Sequence, residues 1–229
     1  TAKINLHLDV RNKRKDGYHE ILSVFQQISI FDTIRIKKIS NTPSCTITGM
    51  DDISLEDNIM YKAYRAFVSH TGIQIGVDIT IKKKIPKKAG LGGGSTDAAS
   101  ILIGLNEMCD TGFQPNELAE LGAVAGSDVP FFCYTAPAAV VCGRGEVVHP
   151  LLEARVFHGL LVCGTFDIET ARAYRWIDAM AHEGGNSPYR GRTELVREYA
   201  HVTPDKWQFF NSFRPVVSRL YPTVEAIFS

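Results

Sequence analysis

The sequence predicts an α+β protein of two domains, and three observations carry that expectation. Period-two apolar alternation recurs through the first 150 residues, a glycine-rich stretch at 86–100 leads straight into a helix-like run, and the chain changes character around His149-Pro150. Strand and helix signals are interspersed, and a boundary near 148–155 divides the chain into 1–150 and 151–229. At roughly 100–200 residues per domain, the length of 229 allows one large domain or two modest ones.

Each element follows in order. Ile4, Leu6 and Leu8 alternate with Lys3, Asn5 and His7, which predicts a half-buried strand over 2–9 carrying the three polar residues on one face. A charged turn (Arg11 to Gly17) and a mixed stretch (Tyr18 to Gln27) precede a strand signal over Ile28–Ile39. Asn58–His70 has helical spacing and is led by Glu56 and Asp57, which suits the positive end of a helix. Ile73–Ile85 alternates again. Asn116–Ala125 reads as a helix with Pro115 at its start and Gly126 at its end. Further strands are expected at 130–132, 138–141 and 147–148, turned by Gly143 and Gly145, with a new apolar strand over Val156–Cys163. A loop is expected at 184–191 and helices over Leu195–Tyr199 and Val216–Phe228.

Twenty-five Lys and Arg balance 25 Asp and Glu, so bulk electrostatics do not favour nucleic acid or acidic membranes, and any bound anion has to be held locally. The 45% hydrophobic content suits a folded core rather than disorder. Five cysteines (Cys45, Cys109, Cys133, Cys142, Cys163) lack metal-binding spacing and read as reduced thiols of a cytoplasmic protein. No apolar run approaches a membrane span, and no signal peptide opens the sequence.

Three consecutive glycines, Gly92, Gly93 and Gly94, cost entropy unless something must approach the backbone closely. A helix starting directly afterwards offers unpaired N–H groups and a positive dipole end, a ready anion site, and Ser95 and Thr96 add hydroxyls. The alternative is a flexible turn with an ordinary N-cap. The loop lacks the Gly-Lys-Ser/Thr ending of a Walker A loop and the glycine spacing of a dinucleotide fingerprint. Lys82, Lys83, Lys84, Lys87 and Lys88 flank it and supply local positive potential.

Ala-Lys-Ile-Asn-Leu (2–6), Asp-Gly-Tyr-His-Glu (16–20), Leu-Gly-Gly-Gly-Ser-Thr-Asp-Ala-Ala (91–99) and Gly-Ser-Asp-Val-Pro-Phe-Phe (126–132) together resemble the GHMP kinase superfamily. The first two motifs point within it to members acting on a cytidine diphosphate conjugate. The resemblance implies a ribosomal-S5-domain-2-like N-terminal domain with a ferredoxin-like C-terminal one, and transfer of phosphate from ATP to a hydroxyl. It implies Asp128 as catalytic base with Lys3 beside it. ATP is expected along Pro86, Ala89, Gly90, Leu91, Gly92, Gly93, Gly94, Ser95 and Thr96, with Asn58 and Lys83 near the adenine. Tyr18, His19 and Tyr174 would hold the cytosine, and Asn5 and Thr170 would line the same pocket. Mg²⁺ is expected because phosphoryl transfer needs charge neutralised, with Ser95 or Thr96 as neighbours and no carboxylate cluster to fix its ligands.

The superfamily's third motif, a glycine and serine-rich loop, has no counterpart after Arg214-Pro215-Val216, and the start at Thr1 inside a strand pattern leads to the expectation that both ends are trimmed. A monomer or weak homodimer is expected. Another small-molecule kinase of the superfamily, or a non-catalytic nucleotide-binding relative, stays open as an alternative.

Overall fold

The first strand, β1 (Ala2–Lys13), has buried residues on both sides, and it pairs antiparallel with β2 (His19–Ile28). The computed structural model describes residues 1–151, 153, 155–164, 170–180, 189 and 191–224. Most of the loop expected at 184–191 and residues 225–228 of the helix expected over 216–228 lie outside them, and the described part of that helix ends at Leu220, two residues before Pro222.

Strands β6 (Ala138–Gly143) and β7 (Val147–Leu151) complete a four-stranded antiparallel sheet of order β1-β2-β6-β7. A second sheet has the order β3-β5-β4, with β3 (Thr33–Ser40) antiparallel and β4 (Ser44–Thr48) parallel to β5 (Gly76–Lys82). Helices α1 (Ile59–Thr71), α2 (Gly93–Cys109), α3 (Pro115–Ala125) and α4 (Val129–Cys133) share the main core with both sheets, through Phe25, Phe67, Val77, Leu102 and Phe131 among others. The helices α5 (Thr170–Met180), α6 (Arg192–His201) and α7 (Arg214–Leu220) follow.

The far face of the larger sheet is also covered. Leu22, Val24, Ala138 and Val140 pack there against Tyr189 and against Leu195 and Tyr199 of α6. Beside β1, the N–H of Leu8 donates to the Phe210 carbonyl at 2.9 Å and its carbonyl accepts from the N–H of Ser212 at 2.8 Å. Tyr189 and residues 191–212 are therefore stitched to the sheet formed by the first 151 residues.

Several expectations need correction. β2 carries Ile21 and Phe25 into one core and Leu22 and Val24 into the other, so it has no polar face and its stretch reads as mixed. The strand expected over 28–39 is the end of β2 plus β3, interrupted at residues 29–32. Residues 130–132 belong to α4, since an apolar run this short carries no period to read. Residues 156–163 form no strand: Val156 and Leu160 are 88% and 91% exposed. Finally, a register shift between Asn5 and His7 turns His7 away from Lys3 and Asn5, so the three do not share a face. Asn5 meets Phe25, while His7 meets Tyr189, Phe209 and Phe210.

Candidate active site

The glycine loop gains its shape from left-handed residues that a side chain would oppose. Gly90 has φ +71° and Gly92 φ +68°, and a Cβ on Gly92 would stand 3.0 Å from both Lys3 Cγ and Phe132 Cζ. Helix α2 begins at the next residue, so its free N–H groups face the loop. The Lys3 N–H donates to the Leu91 carbonyl at 2.9 Å, which fastens β1 to the loop.

Lys3 is nearly closed to water. Its Nζ donates to Asn5 Oδ1 at 2.6 Å, lies 4.5 Å from the Phe25 ring centre and stands 3.5 Å from Asp128 Oδ2. Asn5 in turn donates from Nδ2 to Ser23 Oγ at 3.0 Å. Asp128 sits between α3 and α4, with a side chain 30% exposed, so its carboxylate meets both an ammonium and open space. The β6–β7 turn closes in behind it: a Cβ on Gly145 would lie 3.5 Å from Asp128 Oδ1.

At the other end stand the aromatics. Tyr18 is 55% exposed on the turn between β1 and β2, with the Arg144 guanidinium 4.8 Å from its ring centre. The buried His19 stacks on Tyr174 with ring centres 5.1 Å apart, and its Nε2 lies 2.6 Å from Asp178 Oδ1. Asp178 also accepts from Lys13 at 3.0 Å. Partial burial raises the Asp178 carboxyl, but the hydrogen bonds from Lys13 and His19 outweigh it and leave the group below its ordinary pKa.

These groups open onto one cavity of about 1040 Å³. It brings together Lys3, Asn5, Tyr18, His19, Asp128 and Tyr174 with residues 89–92 and Ser95 of the loop. Pro86, Gly93, Gly94 and Thr96 lie outside its lining. So does Asn58, which is buried and caps α1 by accepting from the Met60 N–H at 2.9 Å. Lys83 is held between Asp32 (2.5 Å) and Asp97 (2.7 Å). Thr170 begins α5, and its side chain is outside the described residues.

Sequence reasoning missed Lys13, Arg144 and Asp178. Asp178 had a readable signal, standing one helical turn beyond Tyr174 on the same face. Arg144 had a weaker one, flanked by two glycines in a turn.

The family described as GHMP kinases N terminal domain matches residues 58–136. A 4-diphosphocytidyl-2-C-methyl-D-erythritol kinase of Thermodesulfovibrio yellowstonii is 41% identical over 210 residues, which cover 92% of this chain and 68% of the relative. The chain belongs to the 4-diphosphocytidyl-2-C-methyl-D-erythritol kinase family. Another kinase of this name, from Treponema pallidum, is 37% identical over 229 residues, covering 97% of this chain and 78% of its own. A crystal structure titled 4-(cytidine 5'-diphospho)-2C-methyl-D-erythritol kinase aligns with TM-score 0.74 at 30% identity, over 99% of this chain and 78% of that one. The α+β fold is thus that of the 4-diphosphocytidyl-2-C-methyl-D-erythritol kinase family, within the GHMP kinases, which use ATP. Among the described residues no helix is long and apolar enough to cross a membrane, and the five cysteines are free.

Proposed function

We propose that the chain transfers the γ-phosphoryl group of ATP to a hydroxyl of 4-diphosphocytidyl-2-C-methyl-D-erythritol. The observation that carries this reading is the Lys3–Asp128 pair, set in one cavity between the glycine loop and the Tyr18, His19 and Tyr174 rings.

The chemistry follows from those positions. Asp128 accepts the proton of the substrate hydroxyl as its oxygen forms a bond to the γ-phosphorus and the bond to the β-phosphate bridging oxygen breaks, releasing ADP. Lys3, kept in place by Asn5 and the Phe25 face, orients the carboxylate and offsets charge on the attacking oxygen. The N-terminal N–H groups of α2 and the hydroxyl of Ser95 face the ATP phosphates, while Thr96, Asn58 and Lys83, outside the cavity lining, support the loop and helices around it. Cytosine lies between Tyr18 and Tyr174. With Asp178 accepting from Nε2–H, His19 Nδ1 is left to accept from the exocyclic amine of the base.

Mg²⁺ fits as an ion held mainly by nucleotide phosphates and water. Ser95 and Asp128 offer a hydroxyl and a carboxylate in the cavity, and no group of three His, Cys, Asp or Glu among the described residues forms a cage. When bound it neutralises phosphate charge.

Steady-state turnover with ATP and the cytidine conjugate tests the reading. Asp128→Asn lowers kcat by about 10²–10⁴-fold, the range of a general base, while conjugate binding is largely kept. Near-normal kcat in that variant refutes the assignment. Tyr18→Ala weakens conjugate binding by about 1–3 kcal/mol, the worth of one base stack, and spares ATP; equal loss for both ligands shows that the base lies elsewhere.

A further inference from the structure

The ligand proposed above carries a diphosphate between its cytidine and erythritol ends, and the cavity must meet that charge somewhere between Tyr18 and Asp128. Four cations line it: Lys3, Lys13, Arg144 and Arg175. Two are committed, Lys3 to Asn5 and Asp128, and Lys13 to Asp178 at 3.0 Å. Arg144 differs in both place and partners. It stands on the β6–β7 turn whose next residue, Gly145, abuts Asp128, and its guanidinium covers the exposed ring of Tyr18 at 4.8 Å. Arg144 thus roots in a turn that abuts Asp128 and ends its side chain on the expected base platform.

The contacts of Arg144 leave it available. Its backbone N–H donates to Glu146 Oε2 at 2.5 Å, which fixes the turn. Its Nε is 3.8 Å from Glu146 Oε1, a long pair between side chains 36% and 26% exposed, so little is lost when the guanidinium turns to a better anion. A planar guanidinium also suits the task, because it stacks on an aromatic face and offers paired N–H donors to phosphate oxygens at once.

We infer that Arg144 is the specificity residue for the substrate's diphosphate, gripping its phosphate oxygens from its place beside Tyr18. This rests on the cytidine-conjugate reading. It makes the affinity of a cytidine nucleotide depend on its phosphates through one half-buried turn residue.

The test separates phosphate recognition from base recognition. Dissociation constants of cytidine and cytidine 5'-diphosphate are measured by calorimetry for the wild-type chain, Arg144→Ala, Arg144→Lys and Arg175→Ala. The wild type prefers the diphosphate by at least about tenfold. In Arg144→Ala that preference falls below about threefold while cytidine binding changes little, and Arg144→Lys, keeping the charge but not the fork, recovers part of it. In turnover, Arg144→Ala raises KM for the conjugate at least tenfold, with a smaller change in kcat and none in KM for ATP. A preference unchanged in Arg144→Ala overturns the inference. So does its loss in Arg175→Ala alone, or an equal loss of cytidine and its diphosphate, which reduces Arg144 to a prop for Tyr18. A wild-type chain that binds neither compound overturns the cytidine reading itself, and this inference with it.

Discussion

Behind the glycine loop, Lys83 joins two carboxylates that water hardly reaches. The side chains of Asp32 and Asp97 are each 2% exposed and that of Lys83 14%. Burial pushes the Asp97 carboxyl up to about 7, only partly offset by the Lys83 ammonium, and Asp97 Oδ1 has no hydrogen-bond partner among the described residues. Asp32 is also raised by burial, but Lys83 and the N–H groups of Ile85 and Lys84 outweigh this and hold it below its ordinary range. A carboxyl whose folded pKa exceeds its unfolded 3.8 takes up a proton on folding, so stability contributed by neutral Asp97 is lost as pH rises through about 7. Lys83→Met removes the ammonium shared by both carboxylates, leaving Asp97 without its cation, and should cost about 3–5 kcal/mol at pH 8, where Asp97 is ionised in the wild type. The deficit should shrink at pH 5, where Asp97 is protonated. Urea unfolding at both values checks this, and a pH-independent deficit contradicts it. Nothing in the sequence pairs Lys83 with Asp32, 51 positions away, because spacing rules report neighbours on one element and not contacts between elements. Asn58, by contrast, stands directly before a helical period and caps it, a local relation that spacing does carry.

The elements that the sequence makes legible are those with their own punctuation. Helix α1 has its Asn58 cap and ends on Gly72 in the left-handed region, and α3 has Pro115 and Gly126. Both ends of each are written in a few adjacent residues. β2 and α4 are hidden because their surroundings, not their own periods, decide them: β2 is covered on two faces, and α4 is a single buried turn of five residues. The β1 register shift is hidden likewise, since an apolar alternation continues across it. The glycine loop gives a test of how far backbone shape controls the candidate site. Gly92→Ala meets two obstacles, a left-handed φ costing about 1–2 kcal/mol and a Cβ pressed against Lys3 Cγ and Phe132. Gly72→Ala meets the first alone, at φ +70° with nothing within 4 Å. Both variants should lose stability in thermal melts, Gly92→Ala the more because it carries both costs. Only Gly92→Ala should lose at least tenfold in kcat, because displacement of the Lys3 stem moves the ammonium off Asp128. Equal kcat in the two variants shows that the loop does not set the position of Lys3.

His7 lies on the seam between the four-stranded sheet and the segment Phe209–Phe213 with Tyr189, and it couples the stability of the whole molecule to pH. It is fully buried, ringed by Tyr189, Phe209 and Phe210, and its Nδ1 accepts from the Phe210 N–H at 3.3 Å. Burial pushes its pKa down to about 4, with Asp9 raising it and Arg11 lowering it by lesser amounts. The folded value lies below the unfolded 6.5, so acid favours the unfolded chain: stability is level above about pH 6.5 and falls as pH drops toward 4. The full window is worth about 3 kcal/mol. Because Leu8 bonds to Phe210 and Ser212, and the adjoining Asn211 and Phe213 line the cavity, charging His7 strains the strap that closes one side of the candidate site. His7→Asn keeps an acceptor in place of Nδ1 but cannot be charged. Its unfolding free energy should lie below the wild type at pH 7.5, through lost ring packing, yet decline by about 2–3 kcal/mol less between pH 7 and 4. Parallel pH profiles for the two proteins would place the acid sensitivity in the carboxylates instead, since those are common to both chains.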